Sequence, residues 1–165
     1  MATPQGNTND GYEIQFGTNH MGYALLTKLL HSTLKKTAAA THPPQDVRII
    51  NFASSEEARS PATEAYDLNK LKTDMASTST LLRYVISKVA NIHLARALSR
   101  HHPEIRSISL HPDVNQLWAA VSPDAKSGEF YFPVGVTSKG SKQSRDKALE
   151  DALWNWTENE LKGYA

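Results

Sequence analysis

Tyr84 and Lys88 are the pair in this sequence best suited to chemistry. They stand four residues apart in Tyr84-Val-Ile-Ser-Lys88, so on a helix they project from one face. An ammonium beside a phenol favours the phenolate and draws its pKa from about 10 toward working pH. Such a pair can give and take a proton. The same spacing also describes a surface helix with one aromatic, which is the commoner case when nothing else agrees. The elements around the pair therefore carry the decision.

A helix capped by Ser79 or Thr80 and running to about Arg100 would hold the pair, with His101-His102-Pro103 ending it. Its apolar residues Val85, Ile86, Val89, Ala90, Ile92, Leu94, Ala97 and Leu98 are spread around the axis, and Arg96 breaks the stripe. That distribution predicts a helix packed on more than one side. Residues 47–52 are a short, mostly apolar run rich in β-branched residues and read as a buried parallel strand, and 105–110 read as a second strand. Upstream, Ile14, Met21, Leu25 and Leu29 recur at helical spacing, with Phe16, Leu26, Leu30 and Leu34 adjoining, and predict a helix over 12–36. Asp10 is its expected N-cap, and Lys35 and Lys36 suit its C-terminus. Gly17 and Gly22 each cost about 1 kcal/mol in a helix, so close packing is expected there.

The connections are less regular. Residues 37–46, with Pro43-Pro44, read as a linker, and 56–79 are polar and turn-rich, with a short helix or strand pair over 66–73. Residues 116–121 are a short apolar piece, and 129–136 an extended edge segment, since Pro133 is poorly tolerated in a central strand. A last helix is expected over 144–162, its Trp154 and Trp156 serving as packing residues. Helix, strand, helix, strand in order is the pattern of an α/β domain with a parallel sheet. At 165 residues the chain fits a single domain, 1–165, with a real core.

Composition narrows the function. The net charge of +1 makes no bulk electrostatic case for nucleic acid or an anionic membrane. Without cysteine there is no disulfide, thiol catalysis or thiolate metal site. No apolar run reaches the about 18 residues of a membrane span, and the polar first ten residues do not read as a signal peptide. A soluble, cytoplasmic protein is the expectation. The seven histidines show no His-Glu-x-x-His or similar spacing, so no metal site is expected, and His101, His102 and His111 read as helix-end and turn residues. No Gly-x-Ser-x-Gly elbow surrounds Ser54.

Several words of the sequence, in order, resemble the short-chain dehydrogenase/reductase family, most of all its fungal and retinol-dehydrogenase-like branch. Residues 12–27, Tyr-Glu-Ile-Gln-Phe-Gly-Thr-Asn-His-Met-Gly-Tyr-Ala-Leu-Leu-Thr, resemble its central helix. Arg48-Ile-Ile-Asn-Phe-Ala-Ser-Ser55 resembles the strand that ends in the catalytic Ser, and Tyr84 to Lys88 matches Tyr-x-x-x-Lys. Ser107-Ile-Ser-Leu-His-Pro112, Gln116-Leu-Trp-Ala-Ala and residues 127–135 resemble the segments that follow. The resemblance touches nearly the whole chain. It implies the C-terminal half of such a domain, a partial Rossmann-like, doubly wound parallel sheet.

The resemblance also implies roles. Tyr84 would exchange a proton with the substrate oxygen. Lys88 would lower the Tyr84 pKa and bind the cofactor ribose. Ser54, or Ser55 if the alignment slips by one, would hold the substrate oxygen. Asn19 would hold a water beside Lys88, and Val114 would lie near the nicotinamide. The cofactor would be NADP or NAD, since no side chain can donate a hydride, and the substrate a small carbonyl or alcohol. A homodimer through the two long helices is expected by analogy.

Two departures stand against full activity. The family binds its cofactor on a Gly-rich turn after the first strand, and Gly17-Thr-Asn-His-Met-Gly22 reads as helix interior instead. The first three strands of the family's domain, and the residue that selects NAD or NADP, are expected to be missing. Asp113 replaces the Gly after Pro112, and the substrate-covering segment is expected to be deleted. A half-built sheet of this kind predicts a marginally stable, oligomeric or aggregation-prone chain. Its alternative role is that of a catalytically inactive relative that binds a full-length homologue.

Overall fold

The computed structural model describes residues 3–40, 46–60 and 67–164. Helix α1 (Ile14–Phe16) runs through a π-helical segment (Gly17–Met21) into α2 (Gly22–Ala39). Strand β1 (Arg48–Phe52) leads to a 3-10 turn (Ser55–Arg59), and α3 (Thr80–His101) to β2 (Arg106–Leu110). Helix α4 (Asn115–Val121), β3 (Phe130–Tyr131), a 3-10 turn (Gln143–Arg145) and α5 (Lys147–Glu160) follow.

The three strands form one sheet in the order β1-β2-β3, all parallel, with Asn51 opposite Ser109 and Phe52 opposite Leu110. The pleat sorts the two faces. Ile50, Ile108 and Leu110 pack with Ala119 and Trp118 of α4 on one side. On the other, Ile49 joins the main core formed by Phe16, Met21, Val85, Val89 and Leu153. Helices thus cover both faces, the partial doubly wound α/β arrangement expected. Ser107 and Ser109, fully buried on β2, have no bulk to fend off α3.

Helix α3 is the pillar of the molecule. From Val85 to Leu98 all but Arg96 are buried, because α1 and α5 pack on it as well as the sheet. Ser79 caps it, its Oγ accepting from Leu82 N at 3.3 Å.

Several expectations are corrected. The first helix is capped by Glu13, not Asp10: the Glu13 carboxylate accepts from Gln15 N at 2.9 Å and Phe16 N at 2.7 Å. Its packed stripe is Phe16, Met21, Ala24 and Leu25, while Leu26, Leu29 and Leu30 are exposed. Close packing holds at Gly17, where a Cβ would lie 2.5 Å from Thr8 Cγ2, but not at Gly22, where the nearest atom would be 3.6 Å away. Residues 67–73 are neither helix nor strand but turns, closed by Lys70 N to Asp67 O and Thr73 N to Lys70 O; of the linker expected over 37–46, residues 37–39 instead continue α2, and 41–45, like Tyr66, lie outside the described residues. The piece at 116–121 is helical, and of 129–136 only Phe130–Tyr131 is strand, the Phe132–Pro133 bond being cis. The last helix starts at Lys147, because Asp146 caps it by accepting from Leu149 N at 3.0 Å. Trp156 packs on Tyr12 and Phe16, and Trp154 stacks on His101, as packing residues do.

Candidate active site

In a parallel sheet the carboxyl ends of the strands are where ligands bind. Here β1 and β2 end side by side, tied by Ala53 N to Leu110 O at 2.8 Å. Ser54 follows β1, and His111 follows β2. Ser55 N donates to His111 Nδ1 at 3.0 Å, which places the ring proton of neutral His111 on Nε2.

Helix α3 brings Tyr84 and Lys88 to this end. Their one-helix-face spacing holds: the Lys88 ammonium lies 5.5 Å from the centre of the Tyr84 ring. Lys88 is only 7 % exposed, and its Nζ donates to Phe52 O, the last carbonyl of β1, at 3.0 Å. Asn91, one turn on, donates to the same carbonyl at 3.0 Å. Burial lowers the Lys88 pKa from its ordinary value, because a charge is costly away from water. Tyr84 is half-buried.

Asn19 sits inside the π-helical segment, where one extra residue per turn shifts the side chains; such bulges recur at functional sites. Its Nδ2 donates to Ser87 Oγ at 3.0 Å, and Ser87 Oγ donates to Tyr84 O at 2.7 Å. The side chain thus reaches the residue next to Lys88 rather than Lys88 itself. Ser54 is buried, and its Oγ accepts from Glu56 N at 3.2 Å as the cap of the 3-10 turn. That bond does not use the Ser54 hydroxyl proton, which is left to donate. Ser55 is half-buried. Val114 is 59 % exposed at the start of α4.

Asn91, Ser87 and the Phe52 carbonyl went unread in the sequence, and His111 reads there only as a turn residue. Asn91 had a signal, since it lies three residues after Lys88 on the same helix face. A backbone carbonyl has none.

Among the described residues no helix is long and apolar enough to cross a membrane. No protein-family model matches the chain. Similarity to known proteins is nevertheless extensive. A short-chain dehydrogenase/reductase of Armillaria gallica is 30% identical over 190 aligned positions that take in 95% of this chain and 60% of the relative. The chain belongs to the short-chain dehydrogenase/reductase family. An uncharacterized oxidoreductase of Schizosaccharomyces pombe is 39% identical over 69% of the chain and 34% of its own length. Human retinol dehydrogenase 13 is 34% identical over 69% of the chain and 32% of its own length. Among solved structures, an uncharacterized protein from Mycobacterium Paratuberculosis superposes with a TM-score of 0.71 at 26% identity, over 98% of this chain and 63% of that one.

The chain spans about 60% of the length of the first Armillaria relative. The alignment of 190 positions is also longer than the 165 residues of the chain, so that relative carries residues inside the matched span that this chain lacks.

The family implies a nicotinamide nucleotide. Lys88 spends one N–H on Phe52 O and has others to give, beside the half-buried Tyr84. That fits the nicotinamide–ribose end. Gly17 and Gly22 lie within the π segment and α2 and so do not form a Gly-rich turn after a strand for the pyrophosphate.

Proposed function

We propose that this chain carries the proton-handling site of an NAD(P)-dependent carbonyl–alcohol oxidoreductase, built from Tyr84, Lys88, Ser54 and Asn19. The observation that carries the reading is the placement of Lys88. One buried ammonium is held by the end of β1 and lies 5.5 Å from the Tyr84 ring centre, so helix and strand end are locked in one arrangement.

When bound, the nicotinamide would supply the hydride. The chain's own residues manage the proton. As the carbonyl carbon gains its new C–H bond, the oxygen becomes an alkoxide. The Tyr84 hydroxyl gives that oxygen its proton, and the phenolate left behind is offset by the Lys88 ammonium. The Ser54 hydroxyl donates to the same oxygen. Asn19 and Ser87 hold the Tyr84 carbonyl, and with it the turn that presents the phenol. Alcohol oxidation runs the same steps backward. Exposed Leu26, Leu29 and Leu30 on α2 support the homodimer reading, since an apolar helix face favours a partner.

The missing Gly-rich turn favours a second reading, a catalytically inactive relative that acts through a full-length homologue. Titration of the purified chain with NADPH and NADH separates the two. Saturable micromolar binding, followed by carbonyl reduction that Tyr84→Phe abolishes, supports the oxidoreductase; retinal is one probe, given the retinol dehydrogenases among its relatives. No binding up to millimolar nucleotide sinks it and leaves the second reading.

A further inference from the structure

The other end of α3 holds a group of side chains that the reaction does not use. His102 caps the helix, its N–H on Leu98 O at 2.8 Å. Its own carbonyl accepts from Ile105 N at 3.0 Å, closing a turn around Pro103 and Glu104. His31 reaches this turn from α2. The His31 and His102 rings are 3.9 Å apart, centre to centre, and inclined at 53°. One ligand atom from each of His31, His102 and Glu104 lies within 4.8 Å of the other two. His31 Nε2 is buried and has no hydrogen-bond partner. Leaving such an atom unsatisfied is costly, and a cation would remove that cost.

The donor set selects the ion. Two imidazole nitrogens and one carboxylate oxygen suit zinc and similar borderline divalent ions, whereas calcium and magnesium prefer oxygen alone. Tetrahedral zinc bonds of 2.0–2.2 Å hold ligand atoms about 3.3 Å apart, so small side-chain rotations close this group on an ion. Lys35 Nζ holds Glu104 Oε1 at 3.2 Å, but both side chains are well exposed, and such a pair is cheaply exchanged.

We infer that His31, His102 and Glu104 form a three-ligand site for zinc or a similar divalent cation, which ties α2 to the turn between α3 and β2. The site lies 18 residues along α3 from Tyr84, about 27 Å at 1.5 Å per residue, so its role is structural. It opens beside a cavity of about 540 Å³ between α2, α3 and α5 that Trp154 also lines.

The tag-free chain, stripped with a chelator, would be titrated with Zn²⁺ by calorimetry and with Co²⁺ by visible absorption. One ion per chain is expected, with the absorption of tetrahedral cobalt and a raised thermal midpoint. His102→Asn and Glu104→Ala should each weaken binding by about tenfold or more, and Lys35→Gln should strengthen it by freeing the carboxylate. Glu104 is exposed, so Glu104→Ala keeps its fold, as circular dichroism would verify. No saturable binding up to millimolar zinc overturns the inference, and so does binding that both ligand variants leave undiminished.

Discussion

Arg83 and Glu13 form an ion pair at 3.2 Å with side chains only 3% and 1% exposed. Glu13 caps α1, and Arg83 immediately precedes Tyr84. The pair therefore couples the cap of the helix that bears Asn19 to the first turns of the helix that bears Tyr84. Breaking a buried pair by removing one partner leaves the other charged and dry, at a cost of about 3–5 kcal/mol. Arg83→Met is expected to lower unfolding free energy by that order in urea melts. A loss under about 1 kcal/mol would show that the pair does not hold the two helices together.

Gly17 begins the π segment that holds Asn19. An added Cβ would meet Thr8 Cγ2 at 2.5 Å and Tyr12 Cβ at 3.1 Å. Gly17→Ala gains about 1 kcal/mol of helix propensity and loses about 1–3 kcal/mol to overpacking. A net loss is expected, and Thr8→Ser, which deletes Cγ2, should recover part of it. The double-mutant cycle measures this as a coupling between the two sites; additive effects would refute the steric account.

The periodic parts of this molecule were legible in its sequence. The Tyr84–Lys88 spacing, a cap at Ser79 or Thr80, which falls on Ser79, and two strand runs with their parallel order rest on the sequence pattern and recur in the structure, although β1 is buried only at Asn51. The cap at Glu13 was not legible, because its choice over Asp10 depends on Arg83, 70 residues away. The exposed Leu29 and Leu30 follow the same helical period as the buried Met21 and Ala24, and periodicity cannot tell a face that meets a neighbour from one that does not. The grouping of His31 with His102 and Glu104 was hidden for the same reason: motif reading looks along the chain, and this group is assembled across it.

Lys88 should show the trade between stability and function. Its ammonium is desolvated, and the Phe52 carbonyl it serves has a second donor in Asn91. Lys88→Met therefore removes a buried charge without orphaning its acceptor, and is expected to melt at or above the wild-type temperature at pH 7. The unfolded chain binds more protons than the native one between the lowered native pKa and about 10.4, so wild-type stability relative to Lys88→Met rises with pH across that window. The gap between the two proteins should shrink as pH approaches 10. A gap that widens would show that the ammonium stabilises the fold.

His20 and His93 make the chain acid-sensitive. Both are buried at the packing of α3 and α5, and burial lowers their pKa values to about 3 and about 4. His20 Nε2 pairs with Thr157 Oγ1 at 3.1 Å, and His93 Nε2 with Gln143 O at 2.9 Å. The unfolded chain takes up these protons near pH 6.5 and the native chain does not, so stability is full above that pH and falls as pH drops toward the native values. Each histidine contributes up to 1.36 kcal/mol per pH unit. The pair should therefore cost about 3 kcal/mol between pH 6.5 and pH 5, a range in which most carboxylates remain ionised. Urea melts across that range test it, with His20→Gln expected to halve the slope. An unchanged slope in that variant would assign the acid sensitivity to other groups.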